Sequence, residues 1–310
     1  MDTPKYIKEN LMYKDSEKTV LNEEHVVDNS KKHWSGKVQS GQEWTIHNGD
    51  AIDVLSNLDD DSFNSCITSP PYYWLRDYGN DKQIGKEETV EDYVKAISNV
   101  MNEVQKKLKS DGLLFLNLGD TYYSGKGQPK GNDIKNKKRR FGLRAVDKSG
   151  GIGIGLQKKS AIGIPWRVAI EMMQNKWVLR SSIIWYRKKC LPENVKDRPR
   201  RNYEYVFMFA KSREYYFNRK PLIDKDIDED VWTIEPERTN KRVLDTAPFP
   251  DELVRRCLSI GCRENGKVLD PFAGSGTTLR VAINEGFSAT GIELNPEFCK
   301  YMVNQLNTLA

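Results

Sequence analysis

Histidine is scarce in this chain. Of 310 residues only three are histidine, and all lie before Gly49. The five cysteines (Cys66, Cys190, Cys257, Cys262, Cys299) are scattered, odd in number and never form a C-x-x-C pair. A zinc centre needs a cluster of such ligands at close spacing, so no metal site is expected, and reduced, mostly structural thiols are. No apolar run approaches the ~20 residues that a membrane span requires. The N-terminal "MDTPKYIKENLMYKDSEK" lacks the apolar core of a signal peptide, so the expectation is a cytoplasmic chain without a membrane partner. No lysine follows the Gly-rich "FAGSGTT", which excludes a P-loop.

The composition is globular but polar, with 38% hydrophobic and 30% charged residues and a net charge of +5. The basic excess is uneven. Residues 124–160 are rich in Lys, Arg and Gly, carry only two acids and follow no helical or strand period. Such a segment cannot bury enough apolar surface to fold alone, so it reads as a loop open to a phosphate-bearing partner. Residues 1–40, polar and aperiodic, read as an N-terminal extension to a domain over 41–310.

Within that domain strands and helices alternate. "EWTIHNGDAIDVLSNL" reads as strand, turn and helix over 51–58, and "SFNSCITS" as a strand. A helix is expected from Thr89, its cap, to a stop at Gly112, followed by the doubly buried strand "LLFLNLGD". After the basic loop come a helix opening on Pro165, strands at "VLRSSIIWYRKK" and "YEYVFMFAKS", and a "YYFN" that extends the second or forms another. Residues 220–242 read as a charged, irregular insertion. A helix at "FPDELVRRCLSIGC" and two β-turn-α units close the chain. The pattern predicts an α/β fold with a doubly wound, mostly parallel sheet.

Two motifs stand at predicted strand ends. The first is Ser69-Pro70-Pro71-Tyr72. Two prolines cannot donate to a ladder, so the strand stops at Thr68 and a stiff turn follows at its C-terminal edge, where open α/β sheets place ligands. A rigid surface loop with a buried tyrosine fits these four residues as well. The second is "VLDPFAGSGTT", a buried strand with an acid at its end and a Gly-rich turn entering a helix. Gly274 and Gly276 allow close backbone approach, and the helix N-terminus offers free N–H groups. Alone this turn also suits a dinucleotide fold or a plain tight turn. Glu293, one strand later in "TGIELNP", occupies the place from which a carboxylate grips ribose hydroxyls, and the set points to a ribose-bearing cofactor.

Together, S-P-P-Y and D-P-F-x-G-x-G-T resemble the amino-methylating DNA methyltransferases. The S-P-P-Y element comes first, the order of the permuted β-type arrangement. The resemblance covers about Thr45 to Gln305. It implies S-adenosylmethionine as cofactor, a methyltransferase-type fold with target-recognition insertions at 124–160 and 220–242, and duplex DNA as partner. It further allows a cognate restriction endonuclease, or an orphan modifier, and a homodimer. Carried over, Asp270, Phe272, Ala273, Gly274, Gly276 and Thr277 would line the cofactor, Glu293 would take its ribose, and Asp50 its adenine. Thr246, Phe249 and Pro250 would close over it. Ser69, Pro70, Pro71 and Tyr72 would be catalytic, with Tyr72 stacked on an extruded base and Tyr73 or Trp74 as a secondary wall. Arg76, Lys137, Lys138, Arg139, Arg140, Lys196, Arg198, Arg200 and Arg201 are the candidate DNA contacts.

Serine at the first motif position resembles the N4-cytosine branch more often than the N6-adenine branch, so cytosine is the expected target and adenine the alternative. A DNA-binding protein with a vestigial cofactor site and an RNA methyltransferase are weaker readings. The recognition sequence is not legible.

Overall fold

A strand buried on both faces must be covered by helices on both sides, and that requirement organises the chain. The computed structural model describes residues 32–75, 80, 82–123, 155–188, 195–236 and 248–309. In chain order the elements are β1 (His33–Lys37), β2 (Glu43–Asn48), α1 (Ala51–Leu55), β3 (Phe63–Thr68), α2 (Val90–Lys107), β4 (Leu108–Leu118), α3 (Ile164–Gln174), β5 (Val178–Tyr186), β6 (Tyr203–Ala210), α4 (Lys220–Asp224), β7 (Val231–Thr233), α5 (Asp251–Gly261), β8 (Lys267–Asp270), α6 (Thr277–Asn284), β9 (Ser288–Glu293) and α7 (Pro296–Asn307).

The strands form one sheet in the order β1-β2-β9-β8-β3-β4-β6-β5-β7. From β2 to β4 every pairing is parallel, as is β5 with β7, whereas β1, and β6 against both its neighbours, run antiparallel. The expected doubly wound, mostly parallel α/β sheet is what the chain forms. β4 displays the logic residue by residue. Leu113 and Phe115 enter one core with Val254 and Cys257 of α5 and Val281 of α6, and Leu114, Leu116 and Leu118 enter the other with Ile97 of α2 and Val168 of α3. Alternate side chains of one strand thus feed two separate cores.

The parallel strands β2, β9, β8, β3 and β4 end on one edge of the sheet. The antiparallel register Leu118↔Tyr205 and Tyr186↔Tyr203 brings the start of β6 and the end of β5 to that same edge. All of the site chemistry below stands there.

Several local expectations are corrected. Thr89 does cap α2, its Oγ1 accepting from Asp92 N at 3.0 Å, but the helix ends at Lys107 and Gly112 lies inside β4. The buried Lys107 ammonium ends the helix by turning to the Leu58 carbonyl at 2.8 Å and Asp60 at 2.6 Å. α1 stops at Leu55 instead of reaching Leu58. Residues 33–37, read as aperiodic, form the edge strand β1. Residues 215–218 are not a strand, and the start of the charged 220–242 stretch folds into α4 and β7, where Trp232 is fully buried. One apolar anchor outweighs a charged context when a neighbouring edge strand is free to pair. Cys66, Cys257, Cys262 and Cys299 are free and buried, and Cys190 lies outside the described residues. Among the described residues no helix is long and apolar enough to cross a membrane, and no group of side chains could hold a metal ion.

Candidate active site

Every residue of β3 is buried, and the strand ends at Thr68 as the prolines require. The turn that follows is fixed from several sides. Tyr93 of α2 donates its hydroxyl to the Pro71 carbonyl at 2.8 Å. Trp74 N–H donates to the Gly85 carbonyl at 2.7 Å, and Trp74 itself holds a φ of 50°, in the left-handed region. Gly85 has a φ of 106°, and a Cβ there would lie 3.1 Å from the Tyr72 carbonyl oxygen, so a side chain is not tolerated where the two segments cross. Among the described residues nothing bonds the Pro70 carbonyl or competes for it.

Two of the aromatics behave differently from expectation. Tyr73 is buried against Tyr93, with ring centroids 5.3 Å apart, and Trp74 donates its indole N–H to the Glu87 carbonyl at 2.8 Å. Both are part of the wall that holds the turn. Tyr72 faces the sheet edge. Its hydroxyl donates to Glu204 Oε2 at 2.6 Å and lies 3.3 Å from Asn117 Oδ1, and the Ser69 hydroxyl sits 3.5 Å away. Burial and the neighbouring Glu204 carboxylate push the Tyr72 phenol well above its usual pKa.

The Gly-rich motif stands on the adjacent strand. Asp270, at the end of β8 and 2% exposed, accepts from Thr68 Oγ1 at 2.7 Å, Thr278 Oγ1 at 2.7 Å and Phe272 N–H at 3.0 Å. Burial raises its pKa to about 6 against these donors. Gly274 and Gly276 take φ of 53° and 85°. Glu293, at the end of β9, accepts from Gly274 N–H at 2.9 Å and Asn295 N–H at 2.7 Å, and burial raises its pKa to about 7. Gly49 N–H in turn donates to the Glu293 carbonyl at 3.1 Å, which sets Asp50 beside it. Asp50 caps α1, its Oδ1 accepting from Ile52 N–H at 2.9 Å.

Asp50, Asp270, Gly274 and Glu293 are thus brought to three neighbouring strand ends. Ala273 and Thr277 are buried within the turn and the first position of α6. Phe272 packs against the α1–α3 core, Phe249 against the α5–α7 core, and Pro250 precedes α5. The residues fit a ribose-bearing cofactor. A Cβ built on Gly274 would meet only the Phe272 carbonyl oxygen, at 3.9 Å, so the turn faces open space beside an acceptor carboxylate.

The candidate DNA contacts divide. Arg76, Lys137, Lys138, Arg139 and Arg140, with Thr246, lie outside the described residues. Lys196 and Arg200 are exposed. Arg198 stacks its guanidinium 3.8 Å over the Tyr122 ring, and Arg201 lies 5.5 Å from the same ring while bonding the Asp120 carbonyl. Lys159 pairs with Asp197. The foot of the 124–160 loop and the 196–201 segment therefore form one basic surface at the sheet edge.

Sequence reasoning passed over Thr68, Thr278, Asn117, Asp120, Arg187 and Glu204. Asp120 caps α3 by accepting from Gly163 N–H at 3.0 Å and Ile164 N–H at 3.1 Å. A lone acid inside the aromatic strand "NYEYVF" was the one signal that could have singled out Glu204.

Comparison with known proteins agrees with this layout. Residues 63–304 match the N6_N4_Mtase family, described as DNA methylase. The type II methyltransferase M.SmaI of Serratia marcescens is 41% identical over 258 residues, 81% of this chain and 86% of that protein. M.Cfr9I of Citrobacter freundii is 38% identical over 268 residues, 84% and 87% of the two chains. Among solved structures, the cytosine-N4-specific PvuII DNA methyltransferase superposes with a TM-score of 0.65 at 21% identity, covering 87% of this chain and 89% of that one. A DNA modification methylase structure from Thermus thermophilus, complexed with S-adenosyl-L-methionine, does so at 0.58 and 23% identity, covering 85% and 95%.

Proposed function

The chain belongs to the N6/N4 DNA methylase family, and on that premise we propose that it methylates the exocyclic N4 amino group of cytosine in duplex DNA. S-adenosylmethionine is the donor, and the setting is a type II restriction–modification pair. The observation that carries the reading is the Thr68–Asp270 hydrogen bond at 2.7 Å, which ties the strand leading into Ser69-Pro70-Pro71-Tyr72 to the strand that opens the Gly-rich turn.

S-adenosylmethionine, when bound, supplies an electrophilic methyl group on a sulfonium. Glu293 would hold its ribose hydroxyls, Asp50 its adenine, and the backbone of 272–277 its methionine end. A base inside a duplex hides its amino group, so the target nucleotide is flipped out to reach the turn. Its amino nitrogen is a poor nucleophile because the lone pair is delocalised into the ring. Ser69 Oγ and the Pro70 carbonyl act as acceptors for the two N–H bonds and favour a pyramidal, more nucleophilic nitrogen. The stiffness of the turn means that little reorganisation is needed at the moment of reaction. Tyr72 forms the stacking surface for the base. Loss of a proton from a nitrogen already bearing positive charge needs no strong base, and no cysteine nucleophile is involved: Cys66 is buried inside β3, where burial holds its thiol well above the usual pKa.

Serine at position 69 supports cytosine. A cognate endonuclease reading the same site is the expected functional partner, and both act in the cytoplasm. The test is nucleoside mass spectrometry of mixed-sequence duplex DNA incubated with the protein and S-adenosylmethionine, beside Ser69→Ala. N4-methylcytosine from the wild type alone is the expected result. N6-methyladenine would overturn the choice of base, and absence of both product and cofactor binding would return the chain to a DNA-binding role.

A further inference from the structure

We propose that Glu204 is a positioning residue for methyl transfer, one that holds the Tyr72 ring in its stacking orientation through a carboxylate anchored by Arg187. The inference rests on the reading of Ser69–Tyr72 as the transfer turn. It begins from how the two carboxylate oxygens are divided. Oε2 accepts the Tyr72 hydroxyl at 2.6 Å, and Oε1 faces Arg187 Nη1 at 3.0 Å. Two different partners on two oxygens fix the plane of the carboxylate, which a single contact would leave free to turn.

The anchor itself is rigid. Glu204 pairs with Trp185 across β5 and β6, and Arg187 N–H donates to the Asn202 carbonyl at 2.8 Å, so both members of the ion pair stand on hydrogen-bonded backbone. The Arg187 guanidinium lies 5.0 Å over the Trp185 ring. Side-chain exposures of 22% and 14% keep the pair largely out of solvent, where its geometry is held better than a surface pair's. Asn117 closes the group by donating to the Tyr205 carbonyl at 3.1 Å and approaching Glu204 Oε2 at 3.4 Å.

Tyr72 is constrained at its other side as well. A Cβ on Gly119 would lie 2.8 Å from Tyr72 Cε2, so the ring runs against backbone there. With its hydroxyl pinned and one edge against Gly119, the ring keeps one orientation before any base arrives. Small errors of placement at a reacting centre are costly in rate, which is why such an anchor matters for turnover more than for binding.

The test is a double-mutant cycle read in single-turnover methylation. Glu204→Gln preserves size and weakens the anchor, Glu204→Ala removes it, and Tyr72→Phe removes the hydroxyl it holds. Expected are a roughly tenfold loss of rate for Glu204→Gln and a roughly hundredfold loss for Glu204→Ala, with the KM for S-adenosylmethionine within about twofold of wild type. In the Tyr72→Phe background Glu204→Gln should change the rate by less than about twofold, because the two act as one unit. Additive losses, or a wild-type rate in Glu204→Gln, would overturn the proposal. A second readout is independent of turnover: in protein labelled with ζ-13C tyrosine, the Tyr72 resonance, identified by its loss in Tyr72→Phe, should be single and narrow in wild type and shifted or broadened in Glu204→Gln. An unchanged resonance would overturn the positioning role. Should the wild type methylate no DNA, the proposed function fails while this resonance still decides the role of Glu204.

Discussion

The Thr68 hydroxyl donates to Asp270 across a separation of 202 residues, at 2.7 Å and wholly out of solvent. It joins the last residue before the stiff turn to the first acid of the Gly-rich motif. Thr278, from the helix after that motif, donates to the other oxygen of the same carboxylate at 2.7 Å. A buried acid satisfied from both sides makes two distant motifs a single object, so displacing either one disturbs the other.

Thr68→Val keeps the shape of the side chain and removes the donor. One Asp270 oxygen then loses a partner in a site that water does not reach, and the expected cost is about 1–3 kcal/mol of stability. Methylation should fall as well. Urea unfolding and single-turnover rates check the two effects together, and a variant with wild-type values in both would show that the link carries no weight.

The two glycines of the turn should respond differently to alanine. At Gly276 a Cβ would lie 2.6 Å from Met302 Cγ, at a φ of 85°, so Gly276→Ala combines backbone strain with a clash and should cost more than the roughly 1–3 kcal/mol of strain alone. Gly274→Ala has strain but open space, so its main effect should be on cofactor affinity. Thermal unfolding separates the first, and calorimetric titration with S-adenosylmethionine the second.

Glu293 has opposite effects on stability and on binding as pH changes. Its pKa rises from 4.5 to about 7 because burial disfavours the charge, so the folded chain holds the proton more tightly than the unfolded chain. That contribution to stability is complete below about 4.5 and is lost as pH rises through about 7. Glu293→Gln should flatten this part of the pH–stability curve, as urea midpoints across the window would show. Cofactor affinity should run the other way and strengthen as pH rises through about 7, since the ionised carboxylate is the better acceptor for ribose hydroxyls.

On the basic surface, Lys196→Ala and Arg200→Ala remove exposed charges. Each should reduce the slope of log affinity for duplex DNA against log salt by about 1 without altering which sequence is preferred. Arg201→Ala should do more, because Arg201 also holds the Asp120 carbonyl at the foot of the loop. Filter binding at graded salt measures all three. An unchanged slope for Lys196→Ala and Arg200→Ala would move the DNA-contacting surface elsewhere.

What could be read along the chain was whatever depends on near neighbours. Prolines at 70 and 71 end β3 at Thr68 by removing donors. Thr89 caps α2, and the acids at Asp270 and Glu293 take strand-end positions because a turn follows each. The alternation of strands and helices carried the α/β class, and the two motifs carried the family. Gly112 misled because a helix stop and a strand glycine look alike until Lys107 is seen to end the helix through Leu58 and Asp60. Trp232 lay hidden in a charged stretch because its burial depends on a pairing with β5, distant in sequence.

Glu204, Arg187 and Asn117 were invisible for the same reason. Each sits in or beside a strand whose register decides which side chains meet, and register is settled by packing between segments far apart in the chain. The sequence alone therefore determined the local turns, the caps and the kind of chemistry. Only the tertiary structure decided which carboxylate meets Tyr72 and which hydroxyl meets Asp270, because those contacts exist only once the sheet has brought its strand ends to one edge.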